Sequence, residues 1–132
     1  MIYTTYFAKL NKLPKDITPV SICGKAPMFY TGYEYKKFAP KYDFFMKWKE
    51  THDNNYYIKC FNEQVLSPLT IQDVWDIYRM IYPDLPTEPN MDFMKKVDIA
   101  LICYEKPTDF CHRHLVSAWL NNLGIPSEEY TF

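Results

Sequence analysis

Val97-Asp98-Ile99-Ala100-Leu101-Ile102-Cys103 is a nearly continuous apolar run. Tyr104-Glu105-Lys106-Pro107-Thr108 follows it, and a second patterned stretch then covers residues 109–123. An apolar run without alternation suits a strand covered on both faces, the habit of parallel sheets in α/β proteins. In the second stretch Cys111, Leu115 and Trp119 share a helical stripe, with Val116, Leu120 and Leu123 beside it. Thr108 or Asp109 is the expected N-cap of that helix. Gly124 is its expected left-handed stop, with Pro126 just beyond. A buried strand feeding a helix sets the main expectation: one α/β domain over residues 1–132, a layered fold with a mostly parallel central sheet flanked by helices.

The rest of the chain fits around that unit. Residues 2–8 are β-branched and aromatic, and residues 17–23 read as a second strand, which Pro19 places near an edge. Residues 24–37 form a long connection. Pro40 suits the first turn of a helix in which Tyr42, Phe45, Met46 and Lys49 repeat at helical spacing. Residues 56–61 fit either a strand or a helix start. The spacing predicts a helix over 70–81, capped by Thr70 with Asp73 at the capping-box position. A short helix over 90–96 and a last strand over 129–132 complete the list.

Composition narrows the classes of function. The 132 residues carry a net charge of −1, which disfavours binding nucleic acid through a whole-molecule basic field. No apolar run reaches the roughly 20 residues of a membrane span, and the first residues lack the basic start of a signal peptide. The four cysteines, Cys23, Cys60, Cys103 and Cys111, therefore read as reduced thiols of a cytoplasmic protein.

Chemistry concentrates in residues 103–114, where a buried strand ends and a helix begins. Ligands of open α/β sheets bind beyond the carboxyl ends of strands, and helix N-termini favour anions. A phosphatase loop needs Arg six positions after Cys, but Ser117 and Asp109 stand there. Walker and dinucleotide glycine motifs are absent. Cys103, Cys111, His112 and His114 offer zinc-binding atoms. Their spacing matches no common zinc knuckle, and neighbouring Cys and His side chains diverge on a helix, so no metal and no cofactor is expected.

Cys111 at a helix start would have a lowered pKa, supported by His112 or Arg113; its plain alternative is a small core residue. Arg113 is a planar cationic fork suited to phosphate, or else the partner of Glu105 in a bridge that pins the loop. Glu105 suits a general base, and His112 would orient it or donate to a ligand. Ser21 and Lys25 would complete an anion pocket with Cys103 if their strand neighbours residues 97–103. A second patch, residues 25–49, interleaves Lys36, Lys37, Lys41, Lys47 and Lys49 with aromatic residues. It reads as an amphipathic helix with its preceding loop, or as a surface that stacks bases.

Ile102-Cys103-Tyr104-Glu105 followed by Cys111-His112-Arg113 resembles the signature of the domain of unknown function family 488, whose members carry Leu-Cys-x-Glu, a short gap, then Cys-His-Arg and a helix. The resemblance extends over most of the chain, and residues 21–27 are similar to a loop of a shorter branch of that family. Many members carry Asp-x-Arg after the second strand; Ser21-Ile22-Cys23 stands there instead, with Lys25 beyond. The resemblance implies a compact α/β domain with a pocket at Glu105, Cys111, His112 and Arg113. It does not imply a reaction.

The functional expectation is a phosphate-bearing small ligand, a nucleotide or nucleoside derivative, bound at residues 103–114. Arg113 and the N–H groups of residues 109–112 would hold the anion. The enzymatic version is a hydrolase of a glycosidic or phosphoester bond using Glu105, Cys111 and His112. The alternative is a non-catalytic module that binds nucleic acid or a protein through the Lys/Tyr surface. Oligomeric state is not legible.

Overall fold

The computed structural model describes residues 1–132. Five strands form one sheet: β1 (Ile2–Tyr6), β2 (Thr18–Ser21), β3 (Tyr33–Glu34), β4 (Ile99–Cys103) and β5 (Ser127–Glu129). Their order across the sheet is β3-β2-β4-β1-β5, and every pairing is parallel. All five residues of β4 are buried, as its unbroken apolar run requires. The α/β class and the parallel sheet follow the sequence reading.

Five helices fill the connections: α1 (Tyr42–Thr51), α2 (Asn54–Phe61), α3 (Ile71–Ile81), α4 (Met91–Lys96) and α5 (His112–Asn122). No helix is long and apolar enough to cross a membrane. Thr70 caps α3 through the Gln72 N–H at 3.2 Å, while Asp73 accepts the Thr70 N–H at 2.8 Å, closing the expected capping box. Gly124 ends α5 at φ +83°. Its N–H reaches the Asn121 carbonyl and the Ile125 N–H reaches that of Leu120, the double closure of a left-handed helix end.

The helices do not flank the sheet evenly. Ile2, Val20, Ile22, Ile99 and Leu101 belong to one large core with side chains from all five helices. Ala100 and Ile102 face two small clusters built from Phe7, Leu13, Ile17 and Cys23. The cause is topological. Right-handed crossovers that travel in opposite directions across a sheet lie on opposite faces. The connections β1–β2 and β2–β3 travel one way and are short, a 3₁₀ segment at residues 7–12 and a loop at residues 24–32. Those after β3 and β4 travel the other way and carry every α-helix.

Several boundaries differ from expectation. The first strand stops at Tyr6, where the 3₁₀ segment takes over. Residues 56–61 are helical: Asp53 caps α2 through the Tyr56 N–H at 3.1 Å, and Tyr57, Cys60 and Phe61 bury at helical spacing. Pro40 lies ahead of α1, whose N-cap is Lys41. The last strand is residues 127–129 rather than 129–132. Pro19 does sit at the sheet's margin. Strand β3 begins opposite Val20, and the Pro19 carbonyl accepts from the Tyr30 hydroxyl instead of a strand. The largest change is at α5. Neither Thr108 nor Asp109 caps it; the N-cap is Cys111, with extended backbone at φ −153°, ψ 142°.

Candidate functional site

Strands β2 and β4 are adjacent, yet their onward connections leave in opposite directions. Such a switch point opens a crevice beyond the carboxyl ends of the two strands. A cavity of about 450 Å³ lies there, within the usual size of a small-molecule site. Cys103, Glu105, Cys111 and His112 line it from the β4–α5 side. Tyr42, Phe45, Trp48, Tyr57 and Phe110 form an aromatic wall. Gly24, Lys25 and Tyr104 lie along the β2 side, where the Tyr104 hydroxyl donates to the Lys25 carbonyl at 2.6 Å.

The wall is built from the bottom of α1 and α2 upward. Phe45 and Trp48 are one helical turn apart, and Trp48 packs against Phe110 and Tyr57 with ring centroids 5.5 and 5.6 Å away. Phe110 meets Tyr57 edge-on at 4.9 Å. These rings fix each other and leave apolar surface toward the cavity.

The extended Cys111 decides the chemistry. On a helix, neighbouring Cys and His side chains would diverge; here Cys111 precedes the helix and both point at one place. Its Sγ lies in direct contact with Cys103 Sγ, and both cysteines are free. Nδ1 of His112 lies 3.5 Å from Cys103 Sγ and 3.9 Å from Cys111 Sγ. The Ile22 carbonyl lies 2.8 Å from Nε2, so that nitrogen carries the hydrogen and Nδ1 faces the sulfurs. Cys103 in turn donates to Glu105 Oε2 at 3.4 Å.

The two thiols are pushed apart in acidity. Burial works against ionising Cys111. Hydrogen bonding with Cys103 and with His112, the histidine's charge and the Arg113 backbone N–H overcome it, so the thiol falls well below its ordinary value. Cys103 is raised, first by its hydrogen bond to Cys111, then by burial and by the neighbouring negative charges. The two shifts are opposite in sign, as expected of two ionisable groups in contact. Glu105 is raised by burial and by the Cys111 charge. Tyr57, also against this site, is raised by burial first and then by Cys111.

The donors Cys103, Cys111 and His112 all lie within 4.8 Å of one another, close enough to surround an ion. Two thiolates on a tetrahedral zinc, with Zn–S bonds of about 2.3 Å, stand roughly 3.7 Å apart. The two sulfurs lie closer together than that, so a zinc ion here would require them to part.

The remaining expected site residues divide. Lys25 reaches the cavity. Ser21 does not line it: it is fully buried, with its hydroxyl 3.1 Å from Cys23 Sγ. Arg113 also turns away. Its Nε and Nη2 donate to the two carboxylate oxygens of Glu129 at 3.0 and 3.1 Å, and Nη1 donates to the Glu105 carbonyl at 2.6 Å. The guanidinium stacks over Tyr6 and is fully buried. The bridge between Arg113 and the Glu105 side chain is therefore replaced by a fork on Glu129, and the anion clamp is already occupied by protein. The N–H groups of residues 109–111 lie in the loop before α5, so they form no helical anion cradle.

On the Lys/Tyr surface Phe38 and Phe44 are buried and Phe45 and Trp48 pack inward, while Phe29, Tyr33 and Tyr42 face solvent. The sequence reading missed the wall residues Trp48, Tyr57 and Phe110 as parts of the site. The repeat of Phe45 and Trp48 on one side of α1 was the available signal. Compared with protein-family models, with curated proteins and with solved structures, the chain matches none.

Proposed function

We propose that this protein is a thiol-dependent enzyme that binds a small, flat, largely apolar molecule and attacks it with the Cys111 thiolate. The observation that carries the reading is the position of Cys111 Sγ: at the cavity, against Cys103 Sγ and 3.9 Å from His112 Nδ1. A nucleophile, a base and a group that orients the base make up the usual apparatus of covalent catalysis. Here His112 is the base and the Ile22 carbonyl orients it.

His112 Nδ1 takes the Cys111 proton and keeps it nearby, so the thiolate forms without losing its counter-charge. Glu105, raised above the ordinary carboxyl range, is placed to pass a proton to a leaving group. The aromatic wall would hold a ring, which keeps a nucleoside-like ligand within the proposal. Lys25 is the one lysine at the cavity for an anionic substituent such as phosphate. The likeness to the domain of unknown function family 488 belongs to the same proposal. It assigns the Cys-x-Glu and Cys-His parts of the signature to chemistry and the Arg to support.

A ligand screen by thermal shift tests this. Nucleosides, nucleotides and other flat heterocycles are offered to the reduced wild type, Trp48→Ala and Glu105→Gln. A ligand that binds the native state raises Tm by mass action. The expected result is one class that shifts wild type and Glu105→Gln, fails on Trp48→Ala, and slows iodoacetamide labelling of Cys111. Labelling that no ligand affects, with no shift for any compound, would contradict the pocket reading.

A further inference from the structure

Attack by Cys111 leaves Cys103 without a part in the chemistry. Cys103 is the last residue of β4, held in register with Tyr6 of β1. Cys111 is the extended N-cap that opens α5. The contact of their sulfurs is thus set by a strand end and a helix cap. Both sulfurs line the same cavity, with a base at Nδ1 of His112 and a proton acceptor at Glu105 Oε2. A second thiol in this position can do what a lone nucleophile cannot, which is to displace a group from the first sulfur.

We propose that Cys103 and Cys111 form a reversible dithiol–disulfide couple that reduces low-molecular-weight disulfides, with Cys111 attacking and Cys103 resolving. This rests on Cys111 being the nucleophile of the pocket. In the first step the Cys111 thiolate attacks one sulfur of R–S–S–R. The S–S bond breaks, a Cys111–S–S–R bond forms, and the departing thiolate takes the proton from His112. In the second step Cys103 gives its proton to the Glu105 carboxylate and attacks Cys111 Sγ. The Cys111–S–R bond breaks, and the second thiolate leaves with the proton held by Glu105. The substrate disulfide gains two electrons and two protons and becomes two thiols; the protein dithiol becomes a disulfide. Lys25 is the only lysine at the cavity and no arginine reaches it, so one anionic group on the substrate would have a partner.

The test mixes reduced protein with oxidised glutathione, quenches with acid, and reads intact mass, peptide links and released thiol. Wild type is expected to lose two hydrogens, link Cys103 to Cys111 and release two equivalents of glutathione. Cys103→Ser should stop as a glutathione adduct on Cys111 and release one equivalent, and Cys103→Ala should do the same if the serine variant folds poorly. Cys111→Ser should release none, and Cys60→Ser should behave as wild type. A wild type that stops at the adduct, links Cys23 instead, or carries a zinc ion that shields both thiols would overturn the couple. Iodoacetamide separates the two readings. If it labels Cys111 in a ligand-sensitive way while no internal disulfide forms, the nucleophile stands and the couple falls. If Cys111 resists both reagents, both fall.

Discussion

His112 and Arg113 are neighbours in sequence and serve opposite halves of the domain. The imidazole turns to the cavity and to two thiols. The guanidinium turns into protein, where Glu129, the Glu105 carbonyl and the Tyr6 ring surround it. One residue of helix rotates the side chain by about 100°, which suffices to separate them. The difference teaches how to read a signature rich in charge. Its most ligand-like member is saturated by protein and holds the frame. Its less conspicuous members, two thiols and an imidazole, keep the unspent chemistry.

Arg113→Ala is the strongest way to break that division. Removing one partner of a buried, hydrogen-bonded ion pair leaves the other uncompensated and costs about 3–5 kcal/mol. Urea unfolding should show this loss. If the variant is as stable as wild type but loses a ligand response, Arg113 belongs to the pocket after all. The smaller change Thr4→Val removes the 2.7 Å hydrogen bond from the buried Thr4 hydroxyl to Glu129 Oε1. It should cost about 1.5–3 kcal/mol, the range for a bond to a charged group. Cys111 labelling should be unchanged, since this residue supports only the Arg113 side.

What the sequence disclosed was local. The capping box at Thr70 and Asp73, the stop at Gly124 and the buried run of β4 each depend on residues a few positions apart. The same locality left residues 56–61 open between a strand and a helix start, and Asp53 settles it by starting a helix. That Cys103, Glu105, Cys111 and His112 would line one cavity was legible because strand ends and helix starts are local features too. Its partition was hidden. The Arg113–Glu129 fork depends on β5 pairing with β1, and the meeting of Cys111 with His112 depends on one extended residue before α5. No spacing rule encodes either, since both are consequences of the assembled sheet.

Glu105→Gln gives a finer test through pH. Because burial raises the Glu105 carboxyl in the folded state, its contribution is full below its ordinary value of 4.5 and is lost as pH rises through the folded value. The glutamine side chain does not ionise. The stability of the variant relative to wild type should therefore grow as pH climbs out of the carboxylate range, as read by Tm at a series of pH values. A difference that shrinks with rising pH would place a favourable charge at Glu105, contrary to the arrangement described.

The most direct measurement is the rate of iodoacetamide labelling at Cys111 as a function of pH, with the site read by peptide mass. The thiolate is the reacting form, so the rate follows its population. A Cys111 ionised by Cys103 and His112 should label at a nearly constant rate from pH 9 well into the acid range, while Cys103 stays unlabelled. Labelling that falls off around the ordinary thiol value near 9, or that favours Cys103, would contradict the account.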